Sequence, residues 1–209
     1  MIRQREVGPD LFSFERILDY RPRPRGDRLE TNTPREYHEE LLASKDPARL
    51  EWKGDKAPGY VERLDVLAEN NPGASFILTY RPLEEVAESF EARSRDPEDP
   101  WLGGREGFRI GTEHWNAAMR HTRDFVESAA NLNVLVVSYH DFFRDVDAAI
   151  PQLARFLGVE FGPEIRESWG EMSRGFEKER RSKRTLSKEQ LAYLEANRDD
   201  EAERWVLER

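Results

Sequence analysis

Two short runs, "ASFILTY" (residues 74–80) and "NVLVVSY" (133–139), constrain the fold more than any other feature of this chain. Nearly every position in them is apolar or β-branched. That is the pattern of strands covered on both faces in a mainly parallel sheet, not the alternation of a sheet with one solvated face. Between them lies the long helical stretch "GTEHWNAAMRHTRDFVESAANL". Strand, crossover helix and strand in this order predict an α/β fold, a mainly parallel sheet flanked by helices.

The remaining elements fit that architecture. "YVERLDVLAENNPG" carries Val61, Leu64, Leu67 and Ala68 at helical spacing and stops at Asn-Asn-Pro-Gly. "DVDAAIPQLARFLGV" reads as a helix that tolerates Pro151 within its first turns, and "LSKEQLAYLEANRDDEAERWVLER" as one further helix anchored by Leu191, Leu194 and Trp205. Upstream, "TPREYHEELLASKD" predicts a helix capped by Thr33 with Pro34 at its first position, "LFSFERIL" a short helix, and "LEWKGDKAPGY" a short strand ending in a loop. The arginines of "YRPRPRGDR", Arg21, Arg23 and Arg25, read as a solvated turn.

Charge narrows the function. Against 33 basic residues stand 42 acidic ones, a formal charge of −9, which argues against a nucleic-acid-coating protein and requires any anion to be bound locally. The chain has no cysteine, so thiolate metal sites and cysteine nucleophiles are excluded. No run approaches a bilayer-spanning length and the N-terminus lacks an apolar signal core, so the expectation is a cytoplasmic protein without membrane partners. Of the histidines His38, His114, His121 and His140, His114 and His121 share a helical face with no carboxylate pattern to make a metal site. Trp115 reads as core.

The most informative residue is Arg81 in "FILTYRPLEEVAESFEAR", where a strand hands over to an amphipathic helix. Ligands of open α/β sheets collect beyond the carboxyl ends of the strands, where helix N-termini point outward. Ser89 stands eight residues on, about two turns into the helix, and an arginine fork with a hydroxyl suits a phosphate. Spacing alone equally allows Arg81 to pair with Glu84 or Glu85.

"TYRPLEEVAES" resembles the segment of sulfotransferases dependent on 3′-phosphoadenosine 5′-phosphosulfate (PAPS) in which a strand ends in Arg-(Asp/Asn)-Pro, continues as Asp-Val-Ala and reaches Ser eight positions after the arginine. The resemblance implies that Arg81 and Ser89 hold the 3′-phosphate. "NVLVVSYHDFFRDVDAAIPQLARFLGV" resembles the family's later strand, Tyr-Glu-Asp-Leu turn and helix, which places Tyr139 near the adenine. "WKGDKAPGY" resembles the Gly-(Glu/Asp)-Lys-(Ser/Thr)-Pro-x-Tyr element of the bacterial and heparan-modifying branches. There Asp55 takes the position of the base that deprotonates the acceptor and Lys56 that of the lysine. The basic run "SRGFEKERRSKR", six cations against Glu177 and Glu179, stands where the family closes over its nucleotide, which points to Arg181, Lys183 and Arg184.

The fold implied is the P-loop-like sulfotransferase fold in a single domain over 1–209, with a variable segment 1–49, a best-matching core 50–160, and a basic segment and C-terminal helix 161–209. No Pro-Lys-Ser-Gly-Thr-Thr loop occurs in the chain. The expectation is therefore a first strand and phosphosulfate loop missing by truncation or divergence, leaving neighbouring strands without their partners. The implied reaction moves a sulfuryl group from PAPS to a hydroxyl or amine of a small molecule or glycan, leaving PAP, with no metal. A non-catalytic or truncated nucleotide-binding relative and a nucleotide-dependent phosphotransferase remain as alternatives. The acceptor pocket is expected from residues 1–49 and 95–112, the latter including the loop or lid "RSRDPEDPWLGGREGFRIG".

Overall fold

The computed structural model describes residues 43, 46, 49, 52–54, 56–96, 105–128, 132–180 and 186–209. The chain divides into two compact units, residues 1–72 and 73–209. In the first, a 3-10 helix, Pro58–Arg63, leads directly into α1, Leu64–Asn70, with Leu64 and Leu67 buried. Pro58 opens the turn where its missing N–H is of no consequence. α1 ends where the Asn-Asn-Pro-Gly signal predicts: Asn71 donates its backbone N–H and its side-chain amide to the carbonyl of Leu67. Residues 52–54, 56 and 57 form no strand, so the short strand expected in "LEWKGDKAPGY" is not found in the described part of that segment.

The second unit is an α/β layer. Its elements are β1 (Ser75–Tyr80), α2 (Leu83–Ser94), α3 (Gly107–Ser128), β2 (Asn133–Ser138), α4 (Tyr139–Arg144), α5 (Val146–Leu157), α6 (Pro163–Arg180), α7 (Lys188–Asn197) and α8 (Asp200–Leu207). β1 and β2 pair in parallel, in register from Ser75 opposite Asn133 to Tyr80 opposite Ser138. The strands pair directly with each other, and among the described residues no third strand joins them. A second correction concerns the expected lid: Gly107 to Thr112 form the opening turns of α3.

One face of the sheet and the inner faces of α2, α3, α7 and α8 close a core of Leu83, Ala87, Phe108, Trp115, Met119 and Leu194, with Ala202 and Val206 from α8. Phe76 meets Phe125 of α3 edge-on at 5.1 Å between ring centroids. A smaller cluster of Ala149, Ile150 and Trp169 joins α5 to α6 and takes in Phe142 and Phe143 of α4.

Local chemistry sets the boundaries. Ser138, Asp145 and Asp199 cap α4, α5 and α8 by accepting the backbone N–H groups of Asp141, Ala148 and Ala202, and Ser187 with Gln190 forms a capping box on α7. Gly158 ends α5 at φ 66°, a left-handed conformation that glycine adopts without strain. The tail is two helices, since Arg198 is extended and Asp199 restarts the turn. Leu194 is buried as expected, whereas Leu191 is 42% exposed. Pro151 sits past the first turn of α5, where its missing N–H leaves the exposed Asp147 without a helical donor to its carbonyl.

α2 and α3 cross closely because α3 begins with glycines on the contact face. A Cβ at Gly107 would lie 2.3 Å from the Phe90 carbonyl oxygen, and one at Gly111 2.9 Å from Ala87 Cα. Both obstacles are backbone, so the helices must part to admit a methyl group. Gly111→Ala is expected to lower unfolding stability by about 1–3 kcal/mol despite its better helix propensity, measured by urea denaturation. An unchanged or raised midpoint would show that the crossing is not tight.

Candidate anion site at the strand-to-helix turn

The register of the two strands decides what stands beside what at their carboxyl ends. Tyr80 faces Ser138, so the chain leaves the sheet through Arg81 on one side and Tyr139 on the other. Pro82, at φ −53° and ψ 143°, is the N-cap of α2, and its carbonyl accepts the N–H groups of Glu85 and Val86. A residue before proline is held extended, so Arg81 cannot be drawn into the helix. Its carbonyl accepts the indole N–H of buried Trp115 at 2.8 Å. Trp115 is thus core, as the sequence suggests, and also fixes the backbone of Arg81 to α3.

The guanidinium is held from two sides. Its carbon lies 5.0 Å from the centroid of the Tyr139 ring, and Tyr139 is backed edge-on by Phe143 at 4.9 Å. Its NH2 donates to Glu85 Oε2 at 3.2 Å, the arginine side chain being 43% exposed and the carboxylate 20%. Of the two carboxylates available by spacing, Arg81 takes Glu85. Glu84 is held by Arg198, which also reaches Glu203 at 3.0 Å. A pair as exposed as Arg81–Glu85 contributes at most about 1 kcal/mol. A charge-assisted hydrogen bond to a phosphate contributes about 1.5–3 kcal/mol, so an incoming anion would win the fork.

Glu85 has a second neighbour. His140, the second residue of α4 and 12% exposed in its side chain, brings Nε2 to 2.7 Å from Glu85 Oε1 as a close charge contact without hydrogen-bond alignment. Ser89 is exposed one turn beyond Glu85, so positions 85 and 89 share one side of α2. α4 is tied down at its far end, where Trp169 Nε1 donates to the Phe142 carbonyl at 3.0 Å and the Ser173 hydroxyl donates to that of Phe143. α6 thereby fixes the short helix that carries Tyr139 and His140.

The structure brings together Arg81 and Tyr139 and places Ser89 on the side of α2 that carries Glu85. Lys56 is exposed in the irregular segment before the 3-10 helix of the first unit. Asp55, Arg181, Lys183 and Arg184 lie outside the described residues, as do the expected helices at 11–18 and 33–42 and the arginines Arg21, Arg23 and Arg25. Sequence reasoning missed His140: nothing in "YHDFF" announces that the imidazole meets a carboxylate 55 residues earlier in the chain. A cleft of about 330 Å³ opens elsewhere, beside Tyr80, Ser138, Asp141, Asp145, Gln152 and Arg209. With two carboxylates against one guanidinium it has the wrong sign for a phosphate.

Residues 14–163, more than half of the 209, match the Sulfotransferase family. The chain belongs to the sulfotransferase family. Among solved structures it is similar to a sulfotransferase domain from the curacin biosynthetic pathway, at 20% identity and a TM-score of 0.47, over 62% of this chain. The chain spans 44% of the length of that structure. No curated protein matches it. Among the described residues, no helix of this sulfotransferase relative is long and apolar enough to cross a membrane.

Four carboxyls among the described residues are held below their ordinary values: the exposed Glu189, by its own backbone N–H and the Ser187 hydroxyl, and three less exposed ones. Burial pushes each of them up and is outweighed: at Glu85 by His140 and Arg81, at Glu91 by the Phe108 N–H, Gln190 and Arg95, and at Asp199 by Arg120, the Ala202 N–H and Arg123. Because folding lowers these values, their contribution is present above the ordinary carboxylate range and is lost as pH falls through the folded values. The urea midpoint is expected to fall from about pH 5 downward, and to fall less steeply in Glu91→Gln, which cannot titrate. A level midpoint across that range would contradict the assignment.

Proposed function

We propose that this sulfotransferase-family chain transfers a sulfuryl group from PAPS to a hydroxyl or amine acceptor, with Arg81 as the anchor for the 3′-phosphate. One observation carries the reading. Arg81 is fixed at its backbone by Trp115 and at its side chain by the Tyr139 ring, while its fork stays 43% exposed beyond the sheet's carboxyl edge. A preorganised guanidinium with spare donors is chemistry suited to a phosphate dianion. Family membership over residues 14–163 supports a sulfonate donor.

In this reading Ser89 adds a hydroxyl donor to the 3′-phosphate from the next turns of α2, and the exposed side of the Tyr139 ring lies toward the adenine. Arg181, Lys183 and Arg184 close over the nucleotide. Asp55 accepts the acceptor's proton while Lys56 neutralises the transferring sulfonate. The acceptor oxygen or nitrogen forms a bond to sulfur as the sulfur–oxygen bond to the 5′-phosphate breaks, and PAP leaves with that oxygen. The protein acts away from membranes and nucleic acid, in the cytoplasm, on a small molecule or glycan.

Calorimetric titration of PAP tests the anchor. Arg81→Ala is expected to lower the affinity at least about tenfold, the loss of one charge-assisted contact, with the circular dichroism spectrum kept. Asp55→Asn is expected to keep PAP binding and lose turnover of PAPS. Unchanged affinity in Arg81→Ala would refute the site. Binding of PAP with no transfer to any hydroxyl or amine acceptor would make the chain a nucleotide-binding relative, and protection by ATP equal to that by PAP would favour a phosphotransferase.

A further inference from the structure

Three ionisable side chains meet beside the β1–α2 turn, and their charges do not sum to a constant. Arg81 carries +1 and Glu85 −1. They touch at 3.2 Å, and the opposite oxygen of Glu85 lies 2.7 Å from His140 Nε2. With the imidazole neutral, the charge of Glu85 opposes the attraction of Arg81 for an anion. With its second proton the imidazole completes an ion pair with Glu85 and leaves the guanidinium uncompensated. Side-chain exposures of 12% for His140 and 20% for Glu85 against 43% for Arg81 set the order: the histidine–carboxylate contact is the inner one, less screened by water, and the arginine is the outer one.

Further charged groups border the cluster. Along α2, Glu84 is engaged by Arg198, and Glu88 lies one turn beyond. Along α4, Asp141 and Arg144 bring opposite signs. From the same helix Tyr139 presents its ring to Arg81. Burial would push the Glu85 carboxyl up, yet His140 and Arg81 keep it below its ordinary value, so the carboxylate stays charged and available to both.

We propose that His140 is a positioning residue of the Arg81 site: when protonated it draws Glu85 off the guanidinium, so that binding of an anion at Arg81 is coupled to uptake of one proton by the Glu85–His140 pair. This rests on the reading of Arg81 as a phosphate anchor. The coupling makes the occupied site the protonated one, so anion affinity falls as pH rises.

Two probes and two variants test it by calorimetry at about pH 6 and about pH 8, the range in which histidine ordinarily changes charge. PAP is the nucleotide probe. Inorganic sulfate, competing with PAP, is a dianion throughout, so any pH dependence of its binding belongs to the protein. The wild type is expected to bind sulfate about tenfold more tightly at the lower pH, as one linked proton allows. His140→Asn is expected to bind weakly at both pH values with the sulfate difference gone. Glu85→Gln, whose cluster is positive at either pH, is expected to bind as tightly at the higher pH as the wild type does at the lower. A sulfate pH dependence that persists in His140→Asn, or weak binding by Glu85→Gln, would overturn the coupling. Sulfate affinity that is flat with pH in the wild type, with PAP affinity still lost in Arg81→Ala, would overturn the coupling alone. Full affinity in Arg81→Ala would overturn the site with it.

Discussion

The parallel register of β1 and β2 is the constraint on which the rest of the site depends. Tyr80 opposite Ser138 makes Arg81 and Tyr139 the next residues out of the sheet, and only that pairing sets a guanidinium 5.0 Å from the aromatic ring. In a strand a shift of one residue sends every side chain to the other face. Such a slip would bury Ile77 and Thr79 in place of Phe76 and Leu78, and would lose the Phe76–Phe125 contact with α3. The hydrophobic core therefore sets the register, and the register composes the site.

Around that pairing, helices hold the exits of the strands. α3 fixes the backbone of Arg81 through Trp115. α6 fixes α4 through Trp169 and Ser173, and α3 is in turn capped from α2 by the buried carboxylate of Glu91 on the Phe108 N–H at 3.0 Å. Each of these bonds satisfies a backbone group that the end of a strand or helix leaves without a partner, so stability and site geometry share the same contacts. What remains adjustable is the outermost contact, Arg81 with Glu85, which is the one an anion would have to exchange.

Local periodicity made the elements legible. "ASFILTY" and "NVLVVSY" are strands, and "GTEHWNAAM" through "DFVES" is a helix, because apolar patterns and caps act within a few residues. Family membership was legible for the same reason, in the short interval from Arg81 to Ser89 and the Tyr139 segment. What escaped depends on distance along the chain. The choice of Glu85 over Glu84 and the meeting of Glu85 with His140 are settled by tertiary packing, which spacing does not encode. The break at Arg198 and Asp199 escaped for a subtler reason. An Asn-Arg-Asp-Asp run is compatible with a helix, and the extended turn is held by bonds from Arg198 to Glu84 and Glu203, from Arg120 to Asp199, and by Asn116, which donates to the Asn197 carbonyl and accepts the Asp199 N–H.

The central claim is that the exposed fork of Arg81 is where an anion binds, and a crystal structure of the chain with PAP tests it most directly. The result predicted is a phosphate group within hydrogen-bonding distance of the Arg81 guanidinium, with the Ser89 hydroxyl turned toward it and the Arg81–Glu85 contact lengthened. PAP bound elsewhere, with Arg81 still donating to Glu85 as it does now, would contradict it.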